Sequence, residues 1–306
     1  MQLKYRQVAN VLARDVKNAL DTERLQFEYL QEIRLRIGYP IVIIYRGKEH
    51  ILSMVVNKNH IKETLDYVSD YSLYAFENEM RQGFITVEGG HRVGMAGQVL
   101  VEHGQVKNMK QISSLNIRIS HEILGCADEL ISYITRDMKI CHTLIISPPR
   151  CGKTTILRDL IRQISNGNKW VRGQTVGVVD ERSELAGCYQ GIPQNQMGMR
   201  TDVLDACPKA EGMLMLVRSM SPKVIAVDEI GDPKEIQAIK YAMYCGCKML
   251  ATVHGESFED IQRKPLWKEM IKEQCFERYV VLGNQSQVGE IRFIYNQNGE
   301  PICCNG

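Results

Sequence analysis

Leu144-Ile145-Ile146-Ser147-Pro148-Pro149-Arg150-Cys151-Gly152-Lys153-Thr154-Thr155 decides the reading of this 306-residue chain. It reads as a short apolar strand, a tight turn, a Gly-Lys-Thr-Thr and then a helix over residues 156–165. In that geometry the backbone N–H groups of the turn and of the first helical turn converge on one spot and can cradle phosphate oxygens. Pro149, Arg150, Cys151, Gly152, Lys153, Thr154 and Thr155 form the predicted cradle. Lys153 is expected to bridge β- and γ-phosphates, and the Thr154 hydroxyl to reach a Mg²⁺ ion. The motif therefore predicts binding of a nucleoside triphosphate with Mg²⁺. The pattern G-x-x-x-x-G-K-[ST] has Ser147 in the place of its first glycine, so Ser147 is expected to accept backbone angles that glycine usually supplies.

From about Cys126 onward, strands alternate with helices, the signature of a parallel sheet with helical crossovers. Strands are expected at 143–146, 175–180, 223–227 and 248–253, each ending in polar residues. In open α/β sheets ligands sit beyond the carboxyl ends of the strands, so these four ends should surround one site. Val224-Ile225-Ala226-Val227 runs into Asp228-Glu229. An Asp here can hold Mg²⁺ through water, and the neighbouring Glu can orient the attacking water. Asp180-Glu181-Arg182-Ser183-Glu184 closes another strand, either as water-polarising carboxylates or as a helix start capped by Ser183 and Glu184. The last strand delivers His254, whose imidazole can hydrogen-bond a γ-phosphate or the catalytic water, or simply sit at the surface.

Residues 1–125 read as a smaller α+β domain, and residues 126–306 as the nucleotide-binding one. The first opens with helical periodicity to about Leu30. An alternating strand at 32–37, a hairpin around Arg46-Gly47-Lys48 and a helix over 58–76 follow. Short strands are then expected around 84–87, 91–97 and 114–119. Composition is ordinary for a soluble globular protein, with 44% hydrophobic and 24% charged residues. No apolar run approaches the ~18 residues that span a bilayer. A formal charge of +2 and 7% aromatic content argue against a nucleic-acid groove. Ten cysteines without a C-x-x-C pair predict reduced thiols and a cytoplasmic location.

Together, Gly152-Lys153-Thr154, the acidic box 180–184, Asp228-Glu229 and Thr252-Val253-His254 resemble the secretion-superfamily ATPases of type II and type IV secretion and of pilus retraction. Glu32-Ile33-Arg34-Leu35-Arg36 and Asn116-Ile117-Arg118-Ile119-Ser120 extend the resemblance into the first domain. Arg200-Thr201-Asp202-Val203-Leu204-Asp205 and Arg218-Ser219-Met220-Ser221-Pro222 narrow it to the members tied to endospore formation. The resemblance implies a RecA-like P-loop NTPase domain with a smaller N-terminal α+β regulatory domain. It also implies an ATP-hydrolysing homohexamer, peripheral at the inner face of the cell membrane and partnered by the membrane proteins of a sporulation channel. By the same resemblance, Glu184 is a catalytic glutamate, Glu229 the second acidic motif's glutamate and His254 the histidine-box residue. Arg92 and Arg118 match arginines that reach nucleotide phosphates. Asp228 departs from the glycine usual at its position in the family. The rival reading is a RecA-like ATPase on single-stranded nucleic acid, since one such core serves both; a third is a scaffold that binds ATP and barely hydrolyses it.

Overall fold

In the computed structural model, which describes residues 2–72, 76–102, 104–283 and 289–304, the alternating stretch Leu30–Arg36 forms β1 and turns Ile33 and Leu35 into a core. It pairs antiparallel with β2 (Pro40–Tyr45) on one side and β6 (Gln105–Arg118) on the other. With β3 (Lys48–Val55), β4 (Phe84–Val87) and β5 (His91–Glu102) these strands make a six-stranded sheet in the order β3-β2-β1-β6-β5-β4. The helices α1 (Gln2–Asn10), α2 (Arg14–Thr22) and α3 (Lys58–Val68) bring Val8, Val16, Leu20, Ile61 and Leu65 into the core cluster that holds Ile33, Ile43, Val93 and Ile117. Each such side chain taken fully out of water contributes roughly 1.5–3 kcal/mol.

The helix expected over 58–76 ends at Val68, because Asp70 and Tyr71 take left-handed angles (φ 47° and 60°) that no helix continues through. Residues 73–75 of that expectation lie outside the described residues, and α4 (Glu77–Gln82) is a separate element. The short strands expected at 91–97 and 114–119 are parts of a long β5–β6 hairpin. Its outer arms expose Val99, Val101 and Val106 and bury no regular face, so their sequence lacks the period-2 signal.

The chain forms two compact units, Met1–His121 with Gly187–Gln194, and Glu122–Ala186 with Asn195–Gly306. The second unit begins with α5 (Leu130–Tyr133) and a two-stranded ribbon of β7 (Thr135–Arg136) and β8 (Lys139–Ile140). Its main sheet has eight strands: β9 (Thr143–Ser147), β10 (Val176–Asp180), β11 (Thr201–Asp205), β12 (Val224–Val227), β13 (Lys248–His254), β14 (Arg278–Gly283), β15 (Glu290–Asn296) and β16 (Pro301–Cys304). Their order is β11-β10-β12-β13-β9-β14-β15-β16. Pairings from β11 through β14 are parallel, and β15 and β16 are added antiparallel. The crossovers are α6 (Lys153–Asn166), α7 (Lys209–Ser219) and α8 (Pro233–Tyr244), while α9 (Phe258–Arg263) and α10 (Pro265–Lys272) follow β13. β9, β10 and β12 are buried at every position, as strands covered on both faces must be, which explains their unbroken apolar runs.

One histidine in this sheet makes stability depend on pH. His142 precedes β9, accepts the Met249 N–H on Nδ1 (3.2 Å) and donates its own N–H to Glu277 Oε2 (2.8 Å). Burial, with Lys248 nearby, pulls its pKa down to about 4, against the opposing charge of Glu277. Between its unfolded value near 6.5 and about 4, the unfolded chain binds the extra proton, so this contribution is full above about pH 6.5 and is lost as pH falls toward 4. His142→Asn should therefore shrink the difference in thermal midpoint between pH 7 and pH 5. The contribution removed is on the order of 1 kcal/mol. An unchanged difference would assign the acid sensitivity to other groups.

Candidate nucleotide site

The four parallel strand ends and the start of α6 gather the predicted groups of the second unit. Gly152 caps α6 in the left-handed region (φ 82°), which places Lys153 and Thr154 in the helix's first turn, earlier than the apolar period alone begins. Ser147 does not carry the glycine-like angle expected of it. It is the last residue of β9, fully buried and in register with His254, and its hydroxyl donates to the Pro148 carbonyl (2.9 Å). Strand pairing keeps it extended, and the left-handed angles fall instead on Arg150 (φ 63°) and Gly152. Cys151 is buried within the turn, its thiol facing the Pro149 carbonyl at 3.6 Å. Pro149 and Arg150 form the turn itself, and Thr155 lies half-buried in the first turn of α6.

Lys153 is 7% exposed and its Nζ lies 2.8 Å from Glu229 Oε1. The same carboxylate meets His254 Nε2 at 3.0 Å and Arg182 Nη1 at 3.1 Å. Burial works against the Glu229 charge, but the Lys153 hydrogen bond and the His254 and Arg182 charges prevail and hold it below the usual carboxylate range. Asp228 sits one residue earlier and deeper. It accepts from Thr154 Oγ1 at 2.7 Å on one oxygen and from Thr252 Oγ1 on the other. Burial pushes its carboxyl up, against the pull of the two hydroxyls. A short-stemmed acid fits here because two threonines from other elements supply its partners.

Asp180 holds the backbone that follows its own strand. Its Oδ1 accepts the Glu184 N–H (2.8 Å), and its Oδ2 accepts those of Leu185 (3.0 Å) and Ala186 (2.8 Å). Burial pushes this carboxyl up while the three backbone donors pull it down. From the other side, Arg158 of α6 donates Nε to the Leu185 carbonyl (2.6 Å) and Nη2 to the Glu184 carbonyl (2.7 Å). Burial lowers the Arg158 pKa, with Glu122 and Asp180 opposing. The peptide units around Glu184 are thus pinned to β10 and to the phosphate-loop helix at once. Glu184 and Glu229 line one cleft, together with Glu181, Arg182, Lys209 and Asp228.

Thr154 Oγ1 and Asp228 offer hard oxygen donors side by side, the chemistry that Mg²⁺ prefers. Among the described residues no three His, Cys, Asp or Glu side chains form a metal cage. Arg92 and Arg118 belong to the first unit, where they face each other in register across β5 and β6. Arg92 stacks over Phe84 at 4.1 Å, and Arg118 is exposed. Arg158, Arg182 and Lys209 had no assigned role in the sequence, since their partners lie 20 to 47 residues away and no local spacing marks them.

No helix among the described residues is long and apolar enough to cross a membrane. Among solved structures, the fold is similar to the Legionella pneumophila ATPase DotB, at 14% identity over 87% of this chain and 75% of that one, with a TM-score of 0.59. It is equally similar to the pilus retraction motor PilT with bound ADP, at 15% identity over 95% and 82%, TM-score 0.59. These likenesses establish a shared P-loop ATPase fold. Among curated proteins, stage III sporulation protein AA of Bacillus subtilis (strain 168) is 43% identical over 97% of this chain and 96% of its own length. The model of the family "Sporulation stage III, protein AA" matches residues 2–302. Matched by that model over nearly all of its length, the chain belongs to the family of sporulation stage III, protein AA.

Proposed function

We propose that this chain is an ATPase that works as a ring, in the manner of a secretion motor, on a membrane-associated channel of endospore formation. The observation that carries this reading is the junction of Lys153 and Thr154 with Glu229 and Asp228 at one sheet edge. A buried ammonium, a hydroxyl and two carboxylates are the parts phosphoryl transfer uses. Lys153 and the N–H groups at the start of α6 would bind the β- and γ-phosphates and stabilise the charge that develops on them. Thr154 and Asp228 would hold Mg²⁺, which neutralises phosphate charge when bound. Glu229, kept ionised by Lys153, would orient water for in-line attack rather than draw its proton early. Glu184, held by its pinned backbone, faces the same cleft as a second carboxylate for the water. His254 would report the γ-phosphate through Glu229.

Family membership supports the link to sporulation, and the fold shared with DotB and PilT supports the motor reading. Six copies, a cytoplasmic site at the membrane and channel proteins as partners are part of the same proposal. Steady-state phosphate release by the purified protein, with its mass measured with and without ATP, tests the ring ATPase. Arg92 and Arg118 are assigned to a neighbouring subunit's nucleotide. Arg118→Ala should then cut turnover by at least about tenfold while leaving each subunit's own nucleotide affinity intact. Mixing Arg118→Ala chains with Lys153→Ala chains should restore part of the activity, because some interfaces unite one intact arginine with one intact loop. Full activity of Arg118→Ala alone would remove the shared site.

A further inference from the structure

The turn after β12 holds Glu229 in a backbone state that side chains other than glycine's rarely adopt, with φ at 54°. Such a residue persists only where its surroundings over-determine it. Both main-chain groups of Glu229 are gripped by side chains from other elements. Its N–H donates to Thr252 Oγ1 at 2.8 Å, and its carbonyl accepts from Lys209 Nζ at 2.6 Å. Lys209 is the first residue of α7, 11% exposed, and its ammonium also pairs with Glu235 Oε1 at 3.0 Å and Glu181 Oε2 at 3.6 Å. Glu235 in turn uses Oε2 to accept the N–H groups of Gly231 (2.8 Å) and Asp232 (3.0 Å). The turn 229–232 is therefore clasped at a carbonyl by the lysine and at two amides by the glutamate, and the two clasping groups are each other's counter-ions.

We propose that Lys209 is a positioning residue for Glu229, fixing the left-handed main chain from which the carboxylate reaches Lys153 and His254. The inference rests on the ATPase reading above. Lys209 grips the Glu229 peptide and not its carboxylate, so it acts on where the water-orienting group points. Its loss should lower kcat and leave nucleotide affinity nearly unchanged. A lysine that met phosphate directly would do the opposite, raising the nucleotide Kd and acting whether or not Glu229 keeps its charge.

The test is a double-mutant cycle between Lys209→Met and Glu229→Gln. It reads phosphate release, affinity for a fluorescent ATP analogue, and hydrogen exchange over residues 224–235 in the nucleotide-free protein. Lys209→Met should lower kcat by ~10- to 100-fold, the scale of a small misplacement of a catalytic group. It should shift the analogue's Kd less than about threefold, speed exchange at the amides of the 229–232 turn, and cause no further loss in the Glu229→Gln background. Should Lys209→Met fail to fold because Glu235 is left buried and unpaired, Lys209→Met with Glu235→Gln removes that charge and carries the same expectations. Equal losses in both backgrounds, a parallel loss of affinity, or an unchanged kcat would each overturn the assignment. A wild-type protein that releases no phosphate would remove the ATPase reading and this inference with it, whereas an active wild type and an equally active Lys209→Met remove the inference alone.

Discussion

Lys153→Ala abolishes measurable ATP turnover and weakens nucleotide binding, the largest functional effect expected of any single change in this chain. The lysine is 7% exposed, and among the described residues the other group that meets Glu229 Oε1 is the His254 imidazole. Removing the lysine takes a buried cation from the start of α6, where the phosphates would sit. Loss of a single preorganised charge partner of this kind lowers kcat by ~10²–10³. The change also acts on the unliganded protein. Glu229 is held ionised against its burial chiefly by Lys153, so its lowered pKa stabilises the fold above the unfolded carboxylate value. That contribution is lost as pH falls through the folded value. In Lys153→Ala the acid-side loss should begin at higher pH, since the carboxylate is easier to protonate. Phosphate release with a thermal-melt series from pH 7 to pH 4 reads both effects. Wild-type turnover in the alanine variant would dismiss the loop as the phosphate site.

Asp180→Ala is expected to have the largest effect on stability. Its carboxylate satisfies three backbone N–H groups in a buried place, and alanine leaves the amides of Glu184, Leu185 and Ala186 without their acceptor. Each buried unsatisfied donor costs about 1–3 kcal/mol, so a loss of at least ~3 kcal/mol follows. For a unit of this size the melting midpoint should fall by roughly 6–12 °C. Asp180→Asn should fall between, because one amide oxygen can keep some of the bonds while the NH₂ group turns toward a donor. Turnover should drop with stability in both variants, as the Glu184 backbone loses one of its two anchors. A midpoint within 2 °C of wild type in Asp180→Ala, on the same scale, would mean that water or a relaxed loop replaces the carboxylate.

How much of this was legible in the sequence depended on burial and on distance along the chain. β9, β10, β12 and β13 announce themselves because both faces are covered and nearly every position is apolar. β11, reading Thr-Asp-Val-Leu-Asp, is a half-buried edge strand without that signature, and only its pairing with β10 defines it. The strands after His254 were missed for a related reason. β15 and β16 are added antiparallel, where the alternating βα rhythm has stopped. At the site, Lys153, Thr154, Asp228 and Glu229 could be named because a motif fixes their local spacing. Lys209, Arg182 and Arg158 are long side chains whose partners come from other elements, so nothing local marks them. Ser147 shows the converse, since a pattern position suggested a backbone angle that strand pairing overrules.

The excursion Gly187–Gln194 bears on how the chain is made. These residues group with the first unit, where Gln194 Oε1 accepts the Gly89 N–H at 2.9 Å and the Gly187 carbonyl closes on Gly90. Neither unit is thus one continuous length of polypeptide, for the backbone passes between them after His121, after Ala186 and again after Gln194. On a ribosome the first unit cannot be completed until residue 194 has emerged, by which time β9, α6 and β10 are already outside the exit tunnel. A fragment cut at residue 121 would lack eight of its own residues, and one starting at 122 would carry them with nothing to join.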